Sequence, residues 1–329
     1  MNLRKILVPV ADPGNPGPAA EFATALSHQV GAEVTLLHVL DAPGSAAAPY
    51  SEYAGQHGAS TPDADIEPRP VELAGTGFQP AAGEAADMAQ RSLAEQIEQS
   101  GLDGAMTTAM VTEGEVAESI LSVAHAMEFD MVAMEAVRKS RLARMIFGST
   151  LDQVKAKTQV PVVIFQPDED IQHAATSLPD AVIVPLDGEP DSEHVVSLAQ
   201  EFARRLRASI EFVHAIPDGV SVIHPASPLP ATYMAATSAE REGALDYLDR
   251  FVQQSVHMGL SSRATVGAGH VVSVVQKAAE SHRNAMIVTD SSDRSGLVRL
   301  FLGSVPEDLV DGTGSAVMVV PGGPNLVAS

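Results

Sequence analysis

The chain has 329 residues with 42 acidic against 20 basic side chains, a formal charge of −22. That excludes the basic stripe a nucleic-acid backbone requires and sets the surface against acidic membranes. With no cysteine, disulfides, thiolate metal sites and cysteine nucleophiles are also excluded.

Nearly half the residues are apolar but only 4 % are aromatic, which predicts an interior of Val, Ile, Leu, Ala and Met. Ile6 to Val10 is a continuous apolar run of the kind found in a strand buried on both faces. It is too short for a signal-peptide core and Pro9 interrupts it, and no run is long enough to span a membrane. A soluble cytoplasmic protein is expected. Phe22, Leu26 and Val30 follow at helical spacing, Gly31-Ala32 closes that helix, and Val34 to Leu40 reads as a second strand. The next connection, residues 41–80, is rich in Ala, Pro and Gly and holds Tyr50 and Tyr53. A loop of that length reads either as an insertion without structure of its own or as a lid or docking arm. Beyond it come a helix around Ala86, Ala89, Leu93 and Ile97, a strand near Ala105 to Val111, and a glycine-led helix with Gly114, Val116, Ile120 and Ala124. The stretch from Asp130 to Phe165 closes the series with an apolar run, a polar loop, an Arg-rich helical turn, Gly148-Ser149, a further helix and a last apolar run.

The whole series then recurs, which governs every other reading. Val182 to Leu186, Leu198, Phe202 and Leu206, and Ile210 to Ile216 repeat the opening elements at an offset of 176. The later elements repeat at an offset of 155: a helix around Ala244, Leu248, Phe251 and Val252, a strand near Arg263 to Val266, and a helix led by Gly269. Ala285 to Val320 ends the second copy, with Gly303-Ser304 in register with Gly148-Ser149. Two domains follow, residues 1–167 and 179–322, joined by a linker at 168–178. Each reads β-α-β-α-β-α-β-α-β, which predicts an α/β protein of two repeated doubly wound domains, each a five-stranded parallel sheet with helices on both faces. In such sheets a ligand lies at the carboxyl ends of the strands where their order reverses, so the residues after strands one and four are the candidates.

Those residues carry a resemblance. Val8-Pro9 and Val184-Pro185, Leu36-Leu37-His38-Val39, Arg294-Ser295-Gly296-Leu297 and Leu302-Gly303-Ser304-Val305 make the chain similar to a tandem universal stress protein. The resemblance implies two such domains packed as an intramolecular pseudo-dimer, with Val162 to Phe165 pairing across it against Val317 to Val320. Nucleotide-binding members of that family have G-x2-G-x9-G-[ST] after strand four and an aspartate ending strand one, an arrangement that suits phosphate because backbone N–H groups and a helix N-terminus meet the anion. Carried onto the second domain, it implies that Asp187 meets a ribose, Ala215 the base, and Gly303, Ser304 and Val305 the phosphates, with Thr289, Asp290 and Asp293 leading into the loop. In the first domain the corresponding, degenerate site is Ala11, Val39, Glu135, Arg138, Gly148, Ser149 and Thr150.

Both copies depart from the pattern. Asp290 and Asp293 stand for the leading glycines in the second, Glu135 and Arg138 in the first, and Asp12 lies one residue late beside Ala11. A carboxylate about 5 Å from a phosphate charge costs roughly 3 kcal/mol at an effective dielectric near 20, on the order of a hundredfold in affinity. A magnesium ion reverses that sign. Arg138, Lys139, Arg141 and Arg144 attract an anion but fill the space it needs, and equally read as a solvated helix face. Other readings stand for the same residues. Ser304 with Glu307 and Ser149 with Asp152 have capping spacing, Asp187 also suits a turn cap, and His38 and His214 suit hydrogen-bonded structural positions.

No metal-binding histidine spacing, P-loop, H-E-x2-H or G-x-S-x-G occurs, so no catalytic and no metal residue is assigned. The function implied is a cytoplasmic stress-response regulator with weak or vestigial ATP binding, with magnesium, mainly in the second domain, acting on an unnamed protein partner. The alternatives are a slow hydrolase holding magnesium on Asp290 or Asp293, and a nucleotide-independent scaffold. A further homodimer of the fused pair is left open.

Overall fold

The computed structural model describes residues 3–40, 81–99, 106–136, 150–165, 178–190, 193–216, 238–291 and 315–322. The first half runs β1 (Lys5–Pro9), α1 (Gly17–Val30), β2 (Glu33–Leu40), α2 (Glu84–Gln99), β3 (Thr107–Glu113), α3 (Val116–Ala126), β4 (Met131–Glu135), α4 (Thr150–Lys157) and β5 (Val162–Phe165). The second runs β6 (Ala181–Pro185), α5 (His194–Leu206), β7 (Ser209–Ile216), α6 (Ser238–His257), β8 (Ser262–Ala268), α7 (Val271–Ala279), β9 (Ala285–Asp290) and β10 (Ala316–Val320). The insertion at 41–80 and nearly all of the linker lie outside the described residues.

All ten strands form one sheet in the order β3-β2-β1-β4-β5-β10-β9-β6-β7-β8. Within each half the pairing is parallel, and the halves join through the antiparallel pair β5–β10, with Val317 opposite Ile164, Met318 opposite Val163 and Val319 opposite Val162. This is the cross-pairing the resemblance implied. The chain moves outward through β1, β2 and β3 and returns to the other side of β1 for β4, so the order reverses between β1 and β4. It reverses likewise between β6 and β9. The third strand of each half extends two residues past the apolar run, because Thr112 and Glu113 still pair with Val39 and Leu40, as Gly267 and Ala268 do with Ala215 and Ile216.

The strands are unbroken apolar runs because helices cover both faces: Ile6, Leu7 and Val8 are fully buried, as are Val182, Ile183 and Val184. On one face a single core continues across the junction, joining Phe22, Leu26 and Leu93 to Phe202, Phe212, Leu248 and Met318. Over it α1 meets α5, and Gln29 Nε2 donates to the Arg205 carbonyl at 3.3 Å. The opposite face holds two separate cores, one under α3 and α4 and one under α7. On that face too β10 bridges the halves, because Val319 is buried in the core under α3 and α4 and Val317 packs against both. Helices α1 and α5 end at equivalent left-handed residues, Gly31 (φ 75°) and Arg207 (φ 57°), a conformation glycine adopts freely and arginine at a cost.

Candidate functional site

Two crevices lie where the strand order reverses. In the first, β1 leads through Val10 into exposed Ala11 and Asp12, and Asp12 Oδ1 accepts from the Gly14 N–H at 2.9 Å, closing a turn. His38, near the end of β2, places Nδ1 2.9 Å from the Val10 carbonyl. A carbonyl only accepts, so Nδ1 is the donor in this contact. Glu135 ends β4 and reaches the first turn of α1, where its Oε1 lies 3.4 Å from the Ala19 N–H. Gly17 opens that turn at φ +73°, and a Cβ there would stand 2.1 Å from Glu135 Oε1, so only glycine leaves the carboxylate its place. Burial pushes the Glu135 carboxyl above its ordinary range; the Ala19 N–H opposes that and the charge of Glu21 adds to it.

The second crevice is built on the same frame with different side chains. Asp187, exposed after β6, accepts the Glu189 N–H on Oδ1 at 3.0 Å, the turn-capping contact Asp12 makes in the first half. His214 Nδ1 lies 2.8 Å from the Leu186 carbonyl, as His38 lies from that of Val10. Asp290, only 3 % exposed at the end of β9, places Oδ1 3.4 Å from Nε2 of His194, the first residue of α5. Beside it Glu193 pairs with Arg250 of α6 and accepts from the Tyr247 hydroxyl at 3.3 Å. The Arg250 guanidinium lies 4.7 Å from the centre of the Tyr247 ring and 4.5 Å from that of Phe251, and the His214 ring meets Tyr247 edge-on at 6.2 Å. Burial, with the Glu193 charge, pushes the Tyr247 phenol up to about 12.

The structure thus gathers Asp187, Ala215 and Asp290 at the carboxyl end of the second half's strands, and Ala11, Val39 and Glu135 at that of the first. Val39 and Ala215 are half-buried at the ends of β2 and β7, and Thr289 is 1 % exposed inside β9. Thr150 begins α4. Arg138, Gly148, Ser149, Asp293, Gly303, Ser304 and Val305 lie outside the described residues. Among the described residues no group of three His, Asp or Glu side chains is placed to hold a metal ion, and no helix is long and apolar enough to cross a membrane.

The profile of the universal stress protein family matches residues 2–166 and again 180–321. The chain belongs to the universal stress protein family, with two copies of its domain. A universal stress protein of Mycobacterium tuberculosis is 29 % identical over 182 residues, covering 54 % of this chain and 57 % of that protein, so the chain spans little more than half the length of the curated relatives it matches. Among solved structures, a universal stress protein from Archaeoglobus fulgidus is similar with a TM-score of 0.58 at 16 % identity, covering 98 % of each chain. A second, from Pseudomonas aeruginosa, has a TM-score of 0.54 at 15 % identity, covering 97 % of this chain and 93 % of the other. At that identity the likeness speaks for the fold of this tandem universal stress protein.

Sequence reasoning does not reach the partners of its two carboxylates. Gly17 and His194 are first-helix residues close to 100 positions or more from Glu135 and Asp290, and no motif ties them together. The repeat offsets hold the usable signal: 155 superposes Glu135 on Asp290, and 176 superposes Gly17 and Pro18 on Glu193 and His194. An acid kept at one repeat position, facing a first turn that differs between copies, marks the place.

Proposed function

We propose that this universal stress protein is a non-catalytic cytoplasmic stress-response regulator whose second domain takes ATP weakly, with magnesium, and whose surface engages a protein partner according to occupancy. The observation that carries the reading is the exposed turn at Asp187. Its carboxylate ends the first strand of the second half, at the reversal of strand order and beside the half-buried Ala215, whereas the first half has Ala11 at the equivalent position. With no metal-ready cluster among the described residues, magnesium would arrive with the nucleotide and be held by phosphate oxygens together with whichever carboxylate turns to them.

Binding is favoured over hydrolysis by the burial of Asp290, which is 3 % exposed with Oδ1 3.4 Å from His194 Nε2. A thermal unfolding scan of the full chain with magnesium-ATP tests the reading. At about a hundred times the dissociation constant, ligand should add roughly 2.7 kcal/mol of stability, and Asp187→Ala should abolish the shift. No shift in the native chain leaves a nucleotide-independent scaffold. Steady phosphate release that disappears in Asp290→Ala makes the protein a hydrolase.

A further inference from the structure

The outer strands of the sheet, β3 and β8, hold equivalent places but their edges differ. In β8 the Ser261 carbonyl accepts from the Ile210 N–H and the Gly269 N–H donates to the Ile216 carbonyl, so alternation turns the backbone groups of Ala264, Val266 and Ala268 to the outer edge. In β3 the same alternation turns Ala109 and Val111 outward, and there the edge is closed. Gln90 Nε2 of α2 donates to the Ala109 carbonyl at 2.9 Å, and the Ala81 N–H donates to that of Val111 at 3.1 Å. The offset of 155 puts Leu245 in place of Gln90; it has no donor for the Ala264 carbonyl and stands 44 % exposed. The counterpart of Ala81, Ala236, lies outside the described residues. Burial follows the difference, since Thr107, Met110, Val111 and Thr112 are buried in β3 whereas no residue of β8 is.

Gln90 marks its position as lying over the strand edge, and Leu245 has company there. Val252 and Val256 share its stripe of α6 at i+7 and i+11, the first half-buried and the second exposed. Exposed Glu242, Asp246 and Asp249 border the stripe and outnumber Arg241, while Arg250 and Arg263 are already paired with Glu193 and Glu211. We propose that the outer edge of β8, with the α6 stripe above it, docks an extended segment of a partner protein that adds an eleventh strand to the ten-stranded sheet, apolar toward the stripe and flanked by lysine or arginine. Ala264 and Val266 supply the backbone bonds, Leu245 and Val256 the apolar contact, and the acidic border the preference for basic flanks. A second copy is the poorer occupant, because pairing β8 with itself would bring two acidic borders together on chains of charge −22 each. The inference gives the partner of the proposed function a surface and a chemistry. No nucleotide enters its test, so its failure and that of nucleotide binding are read separately.

The probe is a peptide of alternating valine and threonine as long as β8, with lysines at both ends, titrated calorimetrically into the full chain beside the same peptide ended by glutamates. The lysine peptide should bind, the glutamate peptide about tenfold or more weakly, and the difference should shrink in high salt. Amide exchange should slow at Ala264, Val266 and Ala268, in alternation with residues already bonded to β7. Leu245→Gln installs the residue that closes the first half's edge, at an exposed position where folding is undisturbed, and should weaken the peptide by about tenfold or more with an unchanged melting temperature. No binding of the lysine peptide overturns the proposal, as do equal binding of the two peptides, binding without new protection in β8, and indifference to Leu245→Gln. A native chain that sediments as a dimer and is made monomeric by Leu245→Gln also overturns it, by assigning the edge to a second copy.

Discussion

Met318→Ala probes whether the two halves are one folding unit. Met318 is fully buried in β10, paired with Val163 across the antiparallel junction and with Val288 of its own half. It belongs to the core that runs beneath α1 and α2 on one side and α5 and α6 on the other. Truncating a buried methionine to alanine costs about 2–5 kcal/mol, lost transfer energy plus the cavity left behind. Taking roughly 3 kcal/mol, and an unfolding entropy of about 2.1 cal/mol/K per residue, which over this chain is roughly 0.7 kcal/mol/K, the melting temperature should fall by about 4 °C. Because the core is shared, that fall should appear in the chain as one transition. Scanning calorimetry should show a single endotherm moved as a whole, and hydrogen exchange should show amides of β1 and β6 losing protection together. Two resolved endotherms, with the substitution moving only the one belonging to the second half, would refute the reasoning.

Three further outcomes follow from particular side chains. Because the folded state favours the protonated Glu135, the stability this group contributes is complete below the ordinary carboxylate value of 4.5 and is lost as pH rises through its raised one. Glu135→Gln should therefore be more stable than the native chain at neutral pH and equal to it in acid, as read from urea midpoints across that range. Glu211 behaves oppositely. Burial alone would raise it, but Arg263, Thr265 and His282 donate to it at 2.6, 2.6 and 2.8 Å and hold it below its ordinary value. Its contribution is present above 4.5 and lost as pH falls through the lowered value, so Glu211→Gln should cost about 1–3 kcal/mol at neutral pH and flatten the acid limb of the profile. Gly17→Ala should destabilise by roughly 1–2 kcal/mol for the left-handed backbone and by a smaller amount for displacing the Glu135 carboxylate, the far end of a flexible side chain. The double variant Gly17→Ala, Glu135→Ala should recover the second part alone, and an additive double-mutant cycle would contradict the contact.

Much of the fold was written in the periodicity. The offsets 176 and 155 carry β1, β2, β3, α3 and β4 onto their second-half partners within a residue or two, because buried parallel strands tolerate little but apolar runs and the helices must turn an apolar stripe to them. Where polar residues extend a strand, as Thr112 and Glu113 do in β3, the apolar signal stops before the hydrogen bonding does. The crevices were legible as places more than as contacts. That Glu135 and Asp290 end the fourth strands follows from the repeat, but that one meets Ala19 and the other His194 depends on helix entry angles that no local pattern encodes. The cluster of Glu193, Tyr247 and Arg250 has no counterpart signal at all, since Gly17, Ser92 and Glu95 stand in those positions in the first half.

The frame and the crevices have diverged under different constraints, and the shared core explains why. Position 22 is Phe and its equivalent 198 is Leu, while position 26 is Leu and its equivalent 202 is Phe. Each half keeps one ring and one aliphatic side chain on the buried face of its first helix, in exchanged order, so the volume is preserved although the residues are not. Phe22 uses its ring against Phe165 at 4.9 Å, and the residue equivalent to Phe165 in the second half is Val320. No such compensation operates around the crevices, where Ala11 faces Asp187, Pro18 faces His194 and Ser92 faces Tyr247 across the repeat. Of these only Tyr247 packs against the continuous core, and none lies in the β5–β10 junction that holds the pair together. A pair fused in this way keeps two frames because each buries the other, but it needs only one crevice to bind. An acid at the end of the fourth strand, a histidine bonded to the carbonyl after strand one and an aspartate capping the next turn are what both crevices retain.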